Sequence, residues 1–469
     1  MFIKDLNPCL VVDGYKPSHW AQLPPDMKAG FGYIESRGGR HRETLFFGLQ
    51  AQLAYLRQRI THEHVDEAKA FYARYYPPAY PGLFNEAGFR RIVDVHGGYW
   101  PVRICAAPEG SLIPTGNVLL SISTSDDQLP WAGGYLENRL LRSVWYPTTV
   151  CTESFMIKRV IKHFLDLTAD DPDAELPFKL HDFGSRAASS TESAGLGGMA
   201  HLVNFRGTDT IEGILAAMRF YGADVCGSSI PASEHSTITA WGRAGECDAY
   251  AHMLATFGRP DGIFACVSDS YDIDNAVTNL WGGELRQRVI DSGATVVIRP
   301  DSGDPVKTPC QTVEALAESF GFTLNRKGYK VLKNVRVIQG DGVDAENIRS
   351  ILFWLQMGGF SASNIAFGMG GKLLQAGIDR DTQRFAMKQS AVYRGGRWLE
   401  TYKDPVGDPG KASKRGLLAL THDNDNGWET VPLFGERLQP NQLQPSYDTG
   451  WFAPPVSFEA VQKRAAAAL

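Results

Sequence analysis

Seven short apolar runs in this chain stop abruptly at polar clusters, and this repeated punctuation constrains the fold more than any other feature. It is clearest at 294–305, ATVVIRPDSGDP, where Thr295, Val296, Val297 and Ile298 end in Arg299, Pro300, Asp301, Ser302 and Gly303. Such a run reads as a buried strand delivering charge at its end. An unpaired buried charge costs far more than the run gains, so those groups need a partner, and a ligand is one candidate. The pattern recurs at 178–186 (FKLHDFGSR), 263–272 (IFACVSDSYD), 335–344 (VRVIQGDGVD) and 364–371 (NIAFGMGG), with weaker copies at 202–209 and 228–236.

Between these runs lie helical periodicities at 210–221, 308–320 and 345–357. Strand followed by helix, repeated, argues for an α/β fold with a parallel sheet and crossover helices. In a closed (β/α) barrel the catalytic groups gather after the carboxyl ends of the strands, where these polar clusters fall. A doubly wound open sheet also binds its ligand at strand ends, but no GxGxxG fingerprint opens the series, so the barrel is preferred.

The 469 residues exceed one ordinary core, which predicts a barrel with a second module. The pattern changes outside the barrel. Residues 101–124 alternate in short stretches broken by Pro108, Gly110, Pro114 and Gly116, with a strand expected at 117–123. Residues 390–402 turn over at Gly395 and Gly396, and 417–433 around DNDNG at 423–427. These strands predict one β-rich module, 1–150 with 386–469, built from both chain ends around a barrel at 151–385. A long helix is expected over 149–167 and another over 62–76 capped by Thr61. His62 and His64 lie two apart on that helix, so they read as solvated histidines rather than a metal pair.

Forty-seven basic against 52 acidic side chains, a formal charge of −5, give no global field for nucleic acid or an anionic membrane. An anionic substrate therefore needs a local cluster of Arg and Lys. Seven scattered cysteines without a CxxC pair fit reduced thiols in a cytoplasmic protein, and no apolar run reaches membrane-spanning length. A cytoplasmic location is expected.

Several strand ends suit a ligand. The glycines of GMGG, 368–371, let backbone N–H groups approach phosphate ahead of a helix-like stretch at 372–377, although a ligand-free glycine turn fits equally. Asp341 in GDG suits either ribose hydroxyls or capping of the helix near Asp344. Arg299 with Asp301, and Asp269 with Asp272, put cation and carboxylates on neighbouring strand ends. Carboxylates facing a pyrophosphate act through Mg²⁺, and a structural salt bridge competes with that view. Asp182, Phe183 and Arg186 combine an aromatic face with a cation, suited to a flat heteroaromatic ring.

Eight blocks in order then carry a resemblance: DGYKPSHW at 13–20, KLHDFGSR at 179–186, HLVNFRGTDT at 201–210, PASEHSTITAWG at 231–242, VSDSYDI at 267–273, IRPDSGDP at 298–305, RVIQGDGVD at 336–344 and IAFGMGG at 365–371. The chain resembles the nicotinate/nicotinamide phosphoribosyltransferase family, and within it the members that use nicotinamide. The resemblance implies an irregular (β/α) barrel of the type II phosphoribosyltransferase kind with a β-rich module. It implies a homodimer with shared active sites that joins nicotinamide to phosphoribosyl pyrophosphate with Mg²⁺, in NAD salvage. Carried over, Phe183 stacks on the nicotinamide ring with Tyr15 from the partner subunit on its other face, and Arg186 and Asp209 hold the carboxamide. Arg299, Asp301, Gly340 and Asp341 match ribose positions, and Gly370, Gly371 and Arg380 match 5′-phosphate positions. Arg37, Lys388 and Lys403 match further cations around the phosphates, and Arg186 and His235 also belong to that set. His235 matches a histidine phosphorylated by ATP, an energy-coupling co-substrate, and acts with Arg299, Asp301 and Asp269 in catalysis.

Asp209 is expected to select the amide, since it accepts an N–H from nicotinamide and repels the carboxylate of nicotinate. Three positions depart from the family pattern: Lys372 replaces a glycine, Ala386 a hydroxyl residue and Ser185 a tyrosine. The competing readings are a nicotinate phosphoribosyltransferase, a non-catalytic binder of nicotinamide mononucleotide, and an unrelated barrel acting on sugar phosphates.

Overall fold

Six of the punctuated runs pair side by side in a computed structural model, which describes residues 6–407, 412–423, 425, 427–434 and 439–469. The strands are β1 (Leu180–Asp182), β2 (Gly207–Thr208), β3 (Ile263–Val267), β4 (Thr295–Arg299), β5 (Val335–Gln339) and β6 (Ile365–Met369). They form one parallel sheet in the order β2-β1-β6-β5-β4-β3. Segment 228–236 is not a strand. It makes two isolated parallel bridges, Gly207 to Ser228 and Ala232 to Ala265, which link the two edge strands and curl the sheet into an irregular barrel. Pro231 within this segment cannot donate to a continuous ladder.

The chain divides into two compact units, one of residues 1–152, 216–223 and 378–469, the other of 153–215 and 224–377. The boundaries expected at 150 and 385 therefore lie at 152 and 377. A helical segment expected to belong to the barrel, 216–223, groups with the first unit. There the Gln50 amide donates to the Phe220 carbonyl at 2.7 Å, and the Tyr221 hydroxyl donates to buried Glu109 at 2.8 Å.

The barrel unit carries helices α1 (Thr191–Leu202), α2 (Ile211–Tyr221, which continues into the first unit), α3 (His235–Thr239), α4 (Lys307–Phe320) and α5 (Ala345–Met357). Asp344 caps α5 by accepting the Asn347 N–H at 2.9 Å. Ala265, Val297 and Ile338 from three strands meet inside the curled sheet, with Phe183, Ile230 and Ala366 packed against them.

The first unit is built on a seven-stranded antiparallel sheet that takes strands from both chain ends. Ala29–Ser36 pairs on one side with Phe385–Arg394 and on the other with Val118–Thr124, and Val102–Ala106 pairs with Gln444–Asp448. The hairpin at Gly395 and Gly396 has both glycines at positive φ, 58° and 77°, as a two-residue turn requires. The second hairpin, Leu418–Asp423 with Gly427–Pro432, forms a sheet of its own. Asn424 and Asn426 of its expected DNDNG turn lie outside the described residues.

The expected helix at 149–167 is longer, Glu137–Thr168, and has Pro147 inside it. Proline normally ends a helix, but here the next residue restores hydrogen bonding sideways. The Thr148 hydroxyl accepts from the Phe47 N–H at 3.2 Å and donates to the Phe47 carbonyl at 3.0 Å. His64 is not simply solvated: Thr61 and His64 form a capping box at the start of His62–Tyr75, and His62 pairs with Asp94 at 3.0 Å. Among the described residues no helix is long and apolar enough to cross a membrane, and all seven cysteines are free.

Candidate functional site

In the barrel unit, β1, β4 and the segment after β2 bring Phe183, Arg299 and Asp209 to one cavity of about 700 Å³, with Ser229, Ile230 and His181 also in its wall. The cavity extends along the inside of the sheet as far as Lys179 and Arg336. The Phe183 ring is seated on Gly368: a Cβ there would lie 1.9 Å from the ring. The first glycine of GMGG therefore serves the aromatic platform, not phosphate. The Arg299 guanidinium lies 5.7 Å from the ring centroid.

Asp209 is exposed at the cavity mouth, and the Ser229 hydroxyl donates a short hydrogen bond to its Oδ1. That bond fixes one carboxylate oxygen and leaves Oδ2 for another donor. Ser229 was not singled out from the sequence. It lies in the 228–236 run whose punctuation was noticed, and only the bridge at Ser228 turns it toward Asp209.

Next to this cavity is a chain of charges. Arg299 grips Asp301 with two parallel hydrogen bonds, Nε to Oδ1 at 3.0 Å and Nη2 to Oδ2 at 2.7 Å. Asp301 Oδ2 lies 4.0 Å from His235 Nδ1, and His235 Nε2 meets Asp269 Oδ1 at 2.9 Å. The imidazole is exposed, whereas the Asp269 side chain is only 3% exposed, so a buried carboxylate orients an accessible ring. Gly340 passes close by: a Cβ would lie 3.0 Å from Asp301 Oδ1 and 3.3 Å from Arg299 Nε. Asp341 follows with its carboxylate exposed, and Asp344 does the capping. Asp272 caps a short helix through the Asn275 N–H.

Gly370 and Gly371 border the same strand end, Gly370 near the Phe183 carbonyl and Gly371 near Ala187. The helix after them is only Gly371–Leu374, not the longer stretch expected, so it adds little dipole to a phosphate site. Lys372 does not add charge there, because its ammonium pairs with Asp344 at 2.8 Å. Ser185 donates to Glu212 at 3.0 Å. Arg186 sits on the 3₁₀ turn Ser185–Ala187, exposed, and is not in the wall of the cavity that Phe183 and Asp209 share.

In the sheet unit, Lys388 is half-buried. Burial pulls its ammonium below the usual lysine range, Glu137 opposes this, and Arg37, Lys403 and Arg380 push it further down. Four cations thus gather in one neighbourhood. Arg37 donates Nε to Glu35 at 2.9 Å, while its Nη2 is buried with no hydrogen-bond partner, an orphan donor suited to an anionic oxygen. Ala386 pairs with Glu35 across the strands. Tyr15 is 61% exposed and its ring lies tilted beside His19, with ring centroids 5.1 Å apart.

The sequence matches the model of the nicotinate phosphoribosyltransferase (NAPRTase) family over residues 178–450, and that of the nicotinamide phosphoribosyltransferase N-terminal domain over 7–104. A protein of Xanthomonas campestris pv. campestris named nicotinamide phosphoribosyltransferase is 54% identical over 431 residues, 92% of this chain and 91% of that one. The chain belongs to the nicotinate/nicotinamide phosphoribosyltransferase family. In fold it is similar to a nicotinate-nucleotide pyrophosphorylase from Pyrococcus furiosus, with TM-score 0.63 at 14% identity over 98% of this chain and 95% of that chain. It is also similar to human nicotinic acid phosphoribosyltransferase, with TM-score 0.56 at 17% identity over 98% and 93%. These likenesses bear out the type II phosphoribosyltransferase architecture expected from the sequence.

Proposed function

We propose that this member of the family transfers the phosphoribosyl group of phosphoribosyl pyrophosphate to nicotinamide, giving nicotinamide mononucleotide and pyrophosphate for NAD salvage. The observation that carries the choice of base is Asp209, an acceptor-only carboxylate facing the same cavity as the Phe183 ring. Its Oδ2 accepts the carboxamide N–H₂, while the carboxylate of nicotinate meets like charge. Arg299 and Asp301, locked together beside Gly340, fit the role of holding the ribose, with Asp341 at the same strand end.

The reaction breaks the bond between the anomeric carbon and pyrophosphate and forms one from that carbon to the ring nitrogen. Charge develops on the leaving oxygens, and placing cations there while holding the base in line supplies most of the acceleration. Arg37, Arg380, Lys388 and Lys403 are suited to phosphate oxygens, and so are the backbone N–H groups of Gly370 and Gly371. The described residues hold no cluster of three His, Cys, Asp or Glu side chains suited to a metal. If Mg²⁺ accompanies the pyrophosphate, Asp269 and Asp301 would be the carboxylates nearest to it, and it would offset charge on the leaving group.

His235 is proposed to accept a phosphoryl group from ATP. Asp269 at Nε2 favours the tautomer that leaves the Nδ1 lone pair as nucleophile, and the exposed ring is reachable. The family resemblance also supports a homodimer in which the partner subunit's Tyr15 covers the second face of the base. The deciding experiment is turnover with phosphoribosyl pyrophosphate and Mg²⁺. Nicotinamide is expected to exceed nicotinate at least about 100-fold in kcat/KM, because the nicotinate carboxylate meets like charge at Asp209. Equal turnover of the two bases rejects the assignment.

A further inference from the structure

We propose that Asp182 is a specificity-determining residue of the base site, a buried second carboxylate behind Asp209 that strengthens the rejection of a ring carboxylate. This rests on the nicotinamide reading above and names a residue to which that reading gives no role.

Asp182 ends β1 and has no exposed surface. Its main-chain carbonyl accepts the Asp209 N–H at 2.9 Å, and its Oδ1 accepts the Gly184 N–H at 2.7 Å. Between those two bonds lies Phe183. A single residue thus ties the aromatic platform to the amide acceptor. The other oxygen, Oδ2, is buried and makes no well-formed hydrogen bond, its polar neighbour being the equally buried Thr210 hydroxyl. Gly198 closes the space around both: a Cβ there would lie 3.3 Å from Oδ2 and 3.0 Å from Thr210 Cγ2.

The charged groups around this carboxyl are mostly of its own sign. Asp209 and, on α2, Glu212 both act on it. His181 on β1 and His201 on α1 are imidazoles that burial holds neutral. Strands β2 and β6 bring no titratable side chain, and α1 adds only Glu192 besides His201. The cations near the platform are Arg299, over the Phe183 ring and already gripping Asp301, and Arg186 on the turn that follows the ring. Burial therefore raises the Asp182 pKa; the Gly184 N–H and Thr210 oppose it, Asp209 and Glu212 add to it, and the result is about 7.

Below neutrality Asp182 is uncharged and Asp209 discriminates alone. Above it, Asp182 carries a second negative charge that is outside the cavity wall, on the face of β1 turned toward Gly198 and Thr210, and that acts through the low-dielectric protein on an anionic ring substituent and hardly on a neutral amide. The full-length protein is assayed with saturating phosphoribosyl pyrophosphate and Mg²⁺ from pH 6 to 8.5, reading the ratio of kcat/KM for nicotinamide to that for nicotinate. Both bases keep their charge over this range, and groups serving steps common to both, His235 among them, cancel in the ratio. The ratio is expected to rise about 3- to 10-fold through pH 7, the effect of a like charge a short distance away. In Asp182→Asn, whose amide oxygen still accepts from Gly184, the ratio stays flat at the wild type's acid-side value.

A flat wild-type ratio, or a rise retained in Asp182→Asn, overturns the proposal. If that variant does not fold, Thr210→Val decides in its place. Loss of the hydroxyl beside Oδ2 moves the midpoint to higher pH, and an unmoved midpoint overturns the proposal. Absence of nicotinamide turnover at every pH sinks the functional reading and this proposal with it, whereas turnover with a flat ratio sinks this proposal alone.

Discussion

Asp209 and Ser229 form the smallest unit on which base selection depends. Replacing Asp209 with Asn leaves the hydrogen-bond geometry but removes the charge, so the preference for nicotinamide is expected to fall at least 10-fold, mostly by improved use of nicotinate. An unchanged preference in competition assays with both bases contradicts the role. Asp182 gives a separate stability prediction. Its folded pKa, about 7, is raised above the unfolded carboxyl value, so between pH 4 and 7 the folded chain holds a proton that the unfolded chain has released. Stability from this group is greatest at the acid end of that window and is lost as pH rises to 7. Asp182→Asn is accordingly expected to raise the melting temperature at pH 8 by a few degrees relative to wild type, and by less at pH 5. A larger gain at pH 5 contradicts the assigned burial. Among these residues Phe183 and Arg299 stand out in the sequence at the punctuated end of an apolar run, whereas Asp209 and His235 are reached only through the family resemblance. Ser229 was not, since its partner is 20 positions away and joined to it only by a bridge between edge strands.

Two glycines show how elements approach one another at this site. Gly368 on β6 accommodates the Phe183 ring, and Gly340 after β5 accommodates the Arg299–Asp301 pair. Gly368→Ala is expected to push the ring off its seat, costing about 1–3 kcal/mol and raising the KM for nicotinamide at least 10-fold with the KM for phosphoribosyl pyrophosphate little changed. Equal rises in both constants indicate general misfolding instead. The alternation of strands and helices in the barrel could be read from periodicity because each strand is a compact apolar run. The closing segment 228–236 reads as a weaker copy of the same pattern, and Pro231 with the polar residues around it leaves it two isolated bridges instead of a strand. The sequence pattern supports a helix only over 149–167, and nothing local announces that Thr148 binds Phe47, 101 residues away, within the longer Glu137–Thr168 helix. Lys372, which stands where the family pattern has a glycine, pairs with Asp344.

At the scale of the whole molecule, the proposed dimer predicts complementation. Tyr15→Ala and Phe183→Ala are each expected to be nearly inactive. Mixed and allowed to exchange subunits, they should recover about a quarter of wild-type sites, because half the dimers are mixed and each of those holds one intact pairing. No recovery despite demonstrated exchange removes Tyr15 from the partner's site. A last consequence comes from the antiparallel sheet, in which Ser36 pairs with Phe385. While the ribosome is still making the barrel, the strand Ala29–Ser36 has no neighbour on that flank. At about 5–20 residues per second the wait is roughly twenty seconds to a minute. The early third of the newborn chain is thus a customer for chaperones, and a stop codon anywhere before the final strands leaves an adhesive edge rather than a smaller enzyme.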